Sequence, residues 1–184
     1  MLILASLSPR RRELLRLITD DFIAVAPACD EDIPAGTPPE EAVIMLARRK
    51  ALSVSHLYPG AVIIGADTVV ALDGVVLGKP ENEKDALRML ALLSGREHEV
   101  YTGVSIVWGE KAETFFSRTL VRFRELSPAE MNAYVSTGES MDKAGAYGIQ
   151  GRAAVFVSGI TGDYYNVVGL PLCVLSEALG PFLY

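Results

Sequence analysis

Three consecutive arginines follow a serine–proline pair near the start of the chain, in the order Ser8, Pro9, Arg10, Arg11 and Arg12. Serine is a common helix N-cap and proline is favoured at the first helical position, so the pattern predicts a helix that begins here. Cations in a first helical turn oppose the helix dipole, at a cost of roughly 0.3–1 kcal/mol each. They are tolerated where an anion binds to the free N–H groups and the guanidinium groups, although three solvated arginines fit the pattern equally well.

Asp67 is a carboxylate inside an otherwise apolar strand pattern that covers residues 61–72. Burial of a carboxylate is costly unless a cation or hydrogen bonds replace the lost water. Gly65 and Ala66 precede it, and we expect these small residues to leave room for a ligand beside the carboxylate. A strand-borne aspartate suits a metal ligand or a base that orients water, and the alternative is a salt-bridged structural aspartate.

Two lysines are candidates for phosphate binding. Lys50 falls on the apolar face of a predicted helix, where a stem that snorkels toward water is an equally good interpretation. Lys79 follows a short strand pattern in the turn between Gly78 and Pro80. A lysine displayed in this way binds a phosphate as a point charge.

The acidic pair Asp30 and Glu31 offers a second carboxylate for a metal ion held by Asp67, although a solvated loop accounts for the pair as well. Cys29 and Cys173 stand apart, without a CxxC pattern or a histidine cluster. That arrangement argues against a zinc site and is typical of a reducing compartment.

The segment 141–151 contains three glycines around one amide side chain, Gln150. Glycine permits close approach of the backbone to a ligand, and a glutamine amide offers both a donor and an acceptor to a base edge. The segment matches neither the GxxxxGK[ST] phosphate loop nor the GxGxxG dinucleotide fingerprint. An ordinary surface loop is the alternative.

Strand and helix patterns alternate along the chain, which predicts an α/β fold. After an apolar strand that precedes Ser8, the expected strands are residues 22–26, 61–72, 75–77, 98–108, 113–124 and 153–158. The expected helices begin after Ser8, at the capping boxes 37–40 and 127–130, at residue 83 and near residue 170. The helices that begin at residues 37–40, 83, 127–130 and 170 are expected to end near residues 54, 94, 135 and 179, respectively.

The chain has 184 residues, of which 50% are hydrophobic and 22% are charged, with a net charge of −6. This composition predicts one globular domain over residues 1–184 without an internal linker, and it argues against a general nucleic-acid binder. No apolar run approaches the roughly 20 residues that span a bilayer, and the arginines follow the first apolar run instead of preceding it as in a signal peptide. We therefore expect a cytoplasmic protein that binds a small polyanion and neither nucleic acid nor a membrane.

These motifs, taken in their order and spacing, resemble the Maf family of nucleoside triphosphate pyrophosphatases. The resemblance covers nearly the whole chain. It rests on Leu4-Ala5-Ser6, Ser8-Pro9-Arg10-Arg11, Leu46-Ala47, Lys50-Ala51, Gly65-Ala66-Asp67-Thr68, Gly78-Lys79-Pro80, Leu93-Ser94-Gly95, Tyr101-Thr102-Gly103-Val104, residues 142–151 and Val168-Gly169-Leu170-Pro171.

The resemblance implies a mixed twisted sheet with flanking helices, in two lobes around a central cleft. It also implies metal-dependent conversion of a nucleoside triphosphate to the monophosphate and pyrophosphate, with Asp67 as the catalytic aspartate. Arg10, Thr68 and Gln150 match three positions that separate the branches of the family. The dTTP/UTP branch has Arg, Thr and Gln there, whereas the branch that acts on 7-methyl-GTP tends to have a bulky aromatic residue, Gln and Glu.

The expected mechanism combines the residue patterns with the family resemblance. A Mg²⁺ or Mn²⁺ ion lies near Asp67, with Glu31 or Asp30 as a second ligand, and Asp67 orients or deprotonates the attacking water. Gln150 and Thr68 are expected to contact a keto pyrimidine. The phosphates of the small-molecule substrate are expected to contact Ser6, Ser8, Arg10, Arg11, Lys50 and Lys79.

Two other functions remain open from the sequence. One is a nucleotide-sensing regulator of septum formation that uses the same pocket without significant turnover. The other is a purine house-cleaning pyrophosphatase, against which the base-reading positions argue. The resemblance also favours a homodimer, because several family members form dimers.

Overall fold

The computed structural model describes residues 1–183 and contains a seven-stranded sheet flanked by helices. The strands are β1 (Leu2–Leu4), β2 (Phe22–Ala24), β3 (Val62–Leu72), β4 (Val75–Leu77), β5 (Glu97–Trp108), β6 (Lys111–Phe123) and β7 (Val157–Thr161). The helices are α1 (Pro9–Arg16), α2 (Pro39–Ser55), α3 (Glu83–Leu93), α4 (Pro128–Val135), α5 (Tyr164–Val168) and α6 (Leu172–Leu183). Two 3-10 helices cover Ala144–Ala146 and Arg152–Phe156. Within the described part of the chain, no helix is long and apolar enough to cross a bilayer.

The sheet is mixed, with the order β2-β1-β3-β5-β6-β7 and with β4 paired to the end of β3. β1 runs parallel to β3 and pairs with its first residues, from Val62 to Ile64, whereas β4 pairs antiparallel with its last residues, from Val70 to Leu72. Between these two partners, the edge of β3 at residues 65–69 has no strand beside it among the described residues. We call this stretch the strand-edge gap. It lies beyond the carboxyl end of β1, where the chain turns into α1.

Helix α2 packs directly on the sheet because two facing strand residues are glycines. A Cβ on Gly65 would lie 2.1 Å from the carbonyl oxygen of Ala47, and one on Gly103 would lie 2.3 Å from that of Val43. The expectation that Gly65 and Ala66 leave room for a ligand is therefore wrong. Helix backbone fills the space beside Gly65, and Ala66 is buried in the hydrophobic core.

The two faces of β3 belong to different hydrophobic clusters. Ile63 packs in a cluster with Ala51 of α2, whereas Ile64 packs in the larger core that includes Leu90 of α3 and Leu175 of α6. Full burial of one such side chain stabilises the fold by about 1.5–3 kcal/mol. Because successive strand residues point to opposite faces, Asp67 lies on the α2 face and its neighbour Thr68 on the other.

Two of the three predicted serine or threonine caps are confirmed. Ser8 is the N-cap of α1, and Ser127 forms a reciprocal capping box with Glu130 at the start of α4. The box predicted at residues 37–40 is wrong, since the N-cap of α2 is Pro38 and no side chain bonds to its first turn. The hydroxyl of Thr37 instead donates to the carbonyl of Pro34 at 2.8 Å, which closes a turn before the helix.

Several other element boundaries differ from prediction, most of them by one or two residues. The strand predicted at residues 153–158 begins later, because residues 152–156 form a 3-10 helix in which Ala153 and Phe156 are buried three residues apart. Pairing with β6 starts only at Val157. Strand β2 ends at Ala24 instead of residue 26. The last predicted helix, residues 170–179, covers Leu172–Leu183 and is preceded by the unpredicted α5, whose N-cap Asp163 accepts a hydrogen bond from the backbone of Tyr165.

Candidate active site

A cleft of about 360 Å³ opens at the strand-edge gap, beside the N-terminus of α1. Five basic side chains line it against three acidic ones, in a chain whose net charge is −6. The basic residues are Arg10, Arg11, Lys50, Lys79 and Lys143, and the acidic residues are Glu31, Asp67 and Asp142. The cleft therefore concentrates positive charge where a small polyanion would bind.

Lys50 bridges two carboxylates inside this cleft. The residue is only 7% exposed, and its Nζ lies 2.5 Å from Asp67 Oδ1 and 2.6 Å from Glu31 Oε1. The hydrogen bond from Lys50 holds the pKa of the Glu31 carboxyl below its usual range. The close approach of α2 at Gly65 brings the amine to Asp67, two residues further along the same strand face. Of the two interpretations open for Lys50, the structure excludes snorkelling to water.

Arg11 is held by two fixed acceptors. Its Nη2 donates to Thr68 Oγ1 at 2.9 Å and its Nε donates to the Gly169 carbonyl at 2.9 Å. Behind it, the Thr68 hydroxyl lies 2.9 Å from that of Thr102, which in turn donates to the carbonyl of Asn166 at 2.8 Å. Burial lowers the pKa of Arg11. The two hydrogen bonds offset part of the cost of that desolvation and leave the remaining guanidinium N–H groups for a ligand.

Three further residues of the expected phosphate site line the cleft. Ser8 and Arg10 do so from the start of α1, and Lys79 does so from the turn that follows β4. Ser6 lies outside the lining and is buried, where its Oγ accepts a hydrogen bond from the backbone of Ser8 at 3.2 Å. Ser6 therefore shapes the turn into α1.

Besides Ser6, two expected site residues do not line the cleft. Gln150 is exposed at the surface, next to Ile149, which does line it. Asp30 is exposed, and its Oδ1 accepts a hydrogen bond from the backbone of Asp32 at 2.8 Å, so that it caps its own loop. The structure thus places Glu31 beside Asp67, through their shared partner Lys50, whereas Asp30 lies in the exposed loop.

Lys143 lines the cleft, although sequence reasoning assigned it no role. Its Nζ donates to the carbonyl of Glu139 at 2.5 Å and to Asp142 Oδ1 at 2.7 Å. The sequence feature that could have indicated the position of Lys143 is the nearby Gly148. A Cβ on Gly148 would lie 2.6 Å from Lys143 Cε, so this glycine makes space for the lysine stem.

The carboxylates permit a shared metal ion but do not form a closed metal site. Within residues 1–183, no group of three His, Cys, Asp or Glu side chains is placed to hold a metal. Asp67 and Glu31 nevertheless converge on one point, now bridged by the Lys50 amine. Mg²⁺ is commonly bound through one or two carboxylates together with substrate phosphates, so these residues fit a cation that arrives with its substrate.

Proteins of known name are similar to this chain over nearly its whole length. A protein of Symbiobacterium thermophilum named dTTP/UTP pyrophosphatase is 53% identical over 183 residues, which cover 100% of this chain and 94% of that protein. A Bacillus cytotoxicus protein of the same name is 48% identical over 98% of this chain and 94% of its own length. The structure of a HAM1 protein from Coxiella burnetii shares the fold, with a TM-score of 0.52, 15% identity and 98% coverage of both chains. The profile of the family described as Maf-like protein matches residues 1–182, and the chain belongs to that family.

Proposed function

We propose that the protein hydrolyses nucleoside triphosphates, dTTP and UTP foremost, to the monophosphate and pyrophosphate. The observation that carries the proposal is the Lys50 amine between the carboxylates of Asp67 and Glu31, in a cleft whose charged side chains are mainly basic. The names of the similar proteins support the reaction and the substrates.

The basic residues bind the triphosphate. Arg11 uses two of the five N–H groups of a guanidinium on Thr68 and Gly169, and the others remain to donate to phosphate oxygens. Arg10 and Lys79 add charge from two other elements that line the cleft. Catalysis of phosphoryl transfer depends mainly on such positioning and charge neutralisation, so a preorganised set of cations suits it.

Asp67 positions and activates the attacking water. Its carboxylate takes a proton from the water as the oxygen forms a bond to the α-phosphorus, and the bond from that phosphorus to the pyrophosphate oxygen breaks. Lys50 fixes the orientation of Asp67, and Glu31 balances the charge of the amine. A Mg²⁺ or Mn²⁺ ion bound by Asp67, Glu31 and phosphate oxygens would neutralise charge on the departing pyrophosphate.

Gln150 contacts the base from the rim of the cleft. It follows Ile149, which lines the cleft, and its amide matches a keto pyrimidine that offers both an acceptor and a donor. Thr68 already bonds with Arg11 and Thr102, so we assign it to the phosphate end of the cleft and not to the base.

Pyrophosphate release from dTTP, UTP, CTP, ITP, GTP and 7-methyl-GTP, with Mg²⁺, Mn²⁺ or a chelator, tests the proposal. We expect metal-dependent turnover that is fastest on dTTP and UTP. Fastest turnover on ITP would indicate a purine house-cleaning enzyme instead. Tight nucleotide binding without turnover would overturn the enzymatic proposal in favour of a nucleotide sensor.

A further inference from the structure

A chain of hydrogen bonds extends from the cleft into the protein behind Arg11. Arg11 Nη2 donates to Thr68 Oγ1, Thr68 Oγ1 lies 2.9 Å from Thr102 Oγ1, and Thr102 Oγ1 donates to the Asn166 carbonyl. Thr68 and Thr102 are directly opposed on β3 and β5. Thr102 is fully buried and lies outside the cleft lining, so it cannot touch a substrate.

The direction of each proton in this chain is fixed. A carbonyl oxygen only accepts, so the single proton of the Thr102 hydroxyl points to Asn166. Thr102 must then accept from Thr68, whose own proton is thereby used. The oxygen of Thr68 is left as an acceptor, and Arg11 supplies the donor.

Asn166 anchors the far end of the chain. Its Nδ2 donates to the Val100 carbonyl at 3.0 Å and to Thr119 Oγ1 at 2.9 Å, which ties α5 to both β5 and β6. The same short segment ends at Gly169, whose carbonyl accepts from Arg11 Nε. Both acceptors of the guanidinium therefore depend on the position of α5.

We propose that Thr102 is a positioning residue for Arg11, which orients the Thr68 hydroxyl as an acceptor and thereby fixes the guanidinium for phosphate binding. The proposal rests on the proposed function only in taking phosphate as the ligand of Arg11. A Thr102→Val change keeps the shape of the side chain and removes the hydroxyl. The Thr68 proton then has no acceptor at position 102, so the hydroxyl rotates and no longer holds its oxygen in place as the acceptor for Nη2.

The test is a comparison of Thr102→Val with Thr102→Ser, which keeps the hydroxyl. The matched control is Ser105→Ala on the same strand, since the Ser105 hydroxyl is buried and bonds to Thr114 instead. Three quantities are measured for each folded variant: KM and kcat for UTP, and the Kd of inorganic tripolyphosphate by calorimetry. Tripolyphosphate has no base, so it reports on the phosphate end of the cleft alone.

For Thr102→Val we expect KM for UTP and Kd for tripolyphosphate to rise together by about tenfold, as for loss of a well-placed charged hydrogen bond, with kcat changed less. Thr102→Ser and Ser105→Ala should stay within about twofold of the wild type. An unchanged tripolyphosphate Kd in Thr102→Val would overturn the proposal. So would a loss confined to UTP, because it would place Thr68 at the base.

The test also covers a Thr102→Val variant that does not fold and a wild type that does not hydrolyse UTP. If Thr102→Val does not fold, Thr102→Cys takes its place, since a thiol is of similar size and is only a weak hydrogen-bond partner. If the wild type does not hydrolyse UTP, the proposed function fails, and the tripolyphosphate Kd values still decide whether Thr102 positions Arg11.

Discussion

The Nζ of Lys50 lies 2.5 Å from Oδ1 of Asp67, in an ion pair that joins helix α2 to strand β3 within the cleft. Glu31 completes the arrangement from the loop before α2, so one amine serves two carboxylates. Loss of the amine would leave both carboxylates close together without a cation. Removal of one partner from a buried ion pair costs about 3–5 kcal/mol.

We therefore expect Lys50→Met to lower the free energy of unfolding at pH 7 by about 3 kcal/mol, since Glu31 is partly exposed and water screens part of the effect. Urea denaturation measures the change. Lys84→Met is the matched control, because Lys84 is exposed on α3. Equal stabilities of the two variants would show that the Lys50 pair contributes nothing to folding.

Asp67→Asn should lower kcat by roughly 10²–10⁴, because the amide keeps the shape of the side chain but neither accepts a proton nor carries charge. Steady-state pyrophosphate release from UTP measures the effect. Asp73→Asn is the control, since Asp73 is exposed in the turn between β3 and β4, where it pairs with Arg96. Full activity in Asp67→Asn would remove Asp67 from the catalytic role.

Gly65→Ala should destabilise the protein by about 3 kcal/mol, at the upper end for an overpacked site. The added Cβ would lie 2.1 Å from the backbone oxygen of Ala47, and helix backbone cannot move as a flexible side chain can. Gly159→Ala in β7 is the control, because no atom of residues 1–183 outside its chain neighbours lies within 4 Å of its Cβ position. Chemical denaturation of both variants measures the difference, and similar midpoints would contradict direct packing of α2 on β3.

Stability should decrease between pH 6.5 and 4 because of His98. Burial lowers the pKa of His98 to about 4, and its Nε2 lies 2.8 Å from the hydroxyl of the buried Tyr147. Below pH 6.5 the unfolded chain binds a proton that the folded protein does not, so folding loses up to about 3 kcal/mol until pH 4, below which the loss stops growing. Denaturation of the wild type and of His98→Gln from pH 7 to 4 isolates this contribution. Parallel pH profiles would show that His98 titrates normally.

Gln150→Glu should change base preference more than rate. A carboxylate has no donor for the keto oxygens of uracil, so kcat/KM for UTP should fall by roughly tenfold relative to that for GTP. The affinity for inorganic tripolyphosphate serves as the internal control and should stay constant, since Gln150 lies outside the charged lining. An unchanged UTP to GTP ratio would show that Gln150 does not contact the base.

Short sequence patterns predicted the elements that carry two of the site residues. The serine–proline–arginine pattern placed α1 and its cap, and the lone carboxylate in an apolar strand placed Asp67, because caps and strand burial depend on neighbours in sequence. Such short patterns could not predict the ion pair of Lys50. Helical periodicity gives the direction of the side chain, but whether its amine reaches water or a carboxylate depends on how closely α2 approaches β3.

Other features depend on contacts between residues that are far apart in the sequence. The sequence shows that Gly65 lacks a side chain but not that the backbone of Ala47 occupies its place. The apolar run that begins at Ala153 fits a strand or a turn of helix equally well, and burial of Phe156 in the core decides for the 3-10 helix. Thr102 lies in one of the motifs that carry the family resemblance, but a threonine in a strand gives no indication that its hydroxyl bonds to Thr68.

The strand-edge gap bears on solubility as well. An open stretch of strand edge is a template on which another chain can add a strand, and proteins commonly protect such edges with charged side chains. Here Arg11, Lys50 and Asp67 lie at the open stretch of β3, which ends at the hydrophobic Val69 before β4 pairs with Val70. The charges that equip the cleft for a polyanion therefore also shield it from self-association. Variants that neutralise several of them together risk aggregation as well as inactivity.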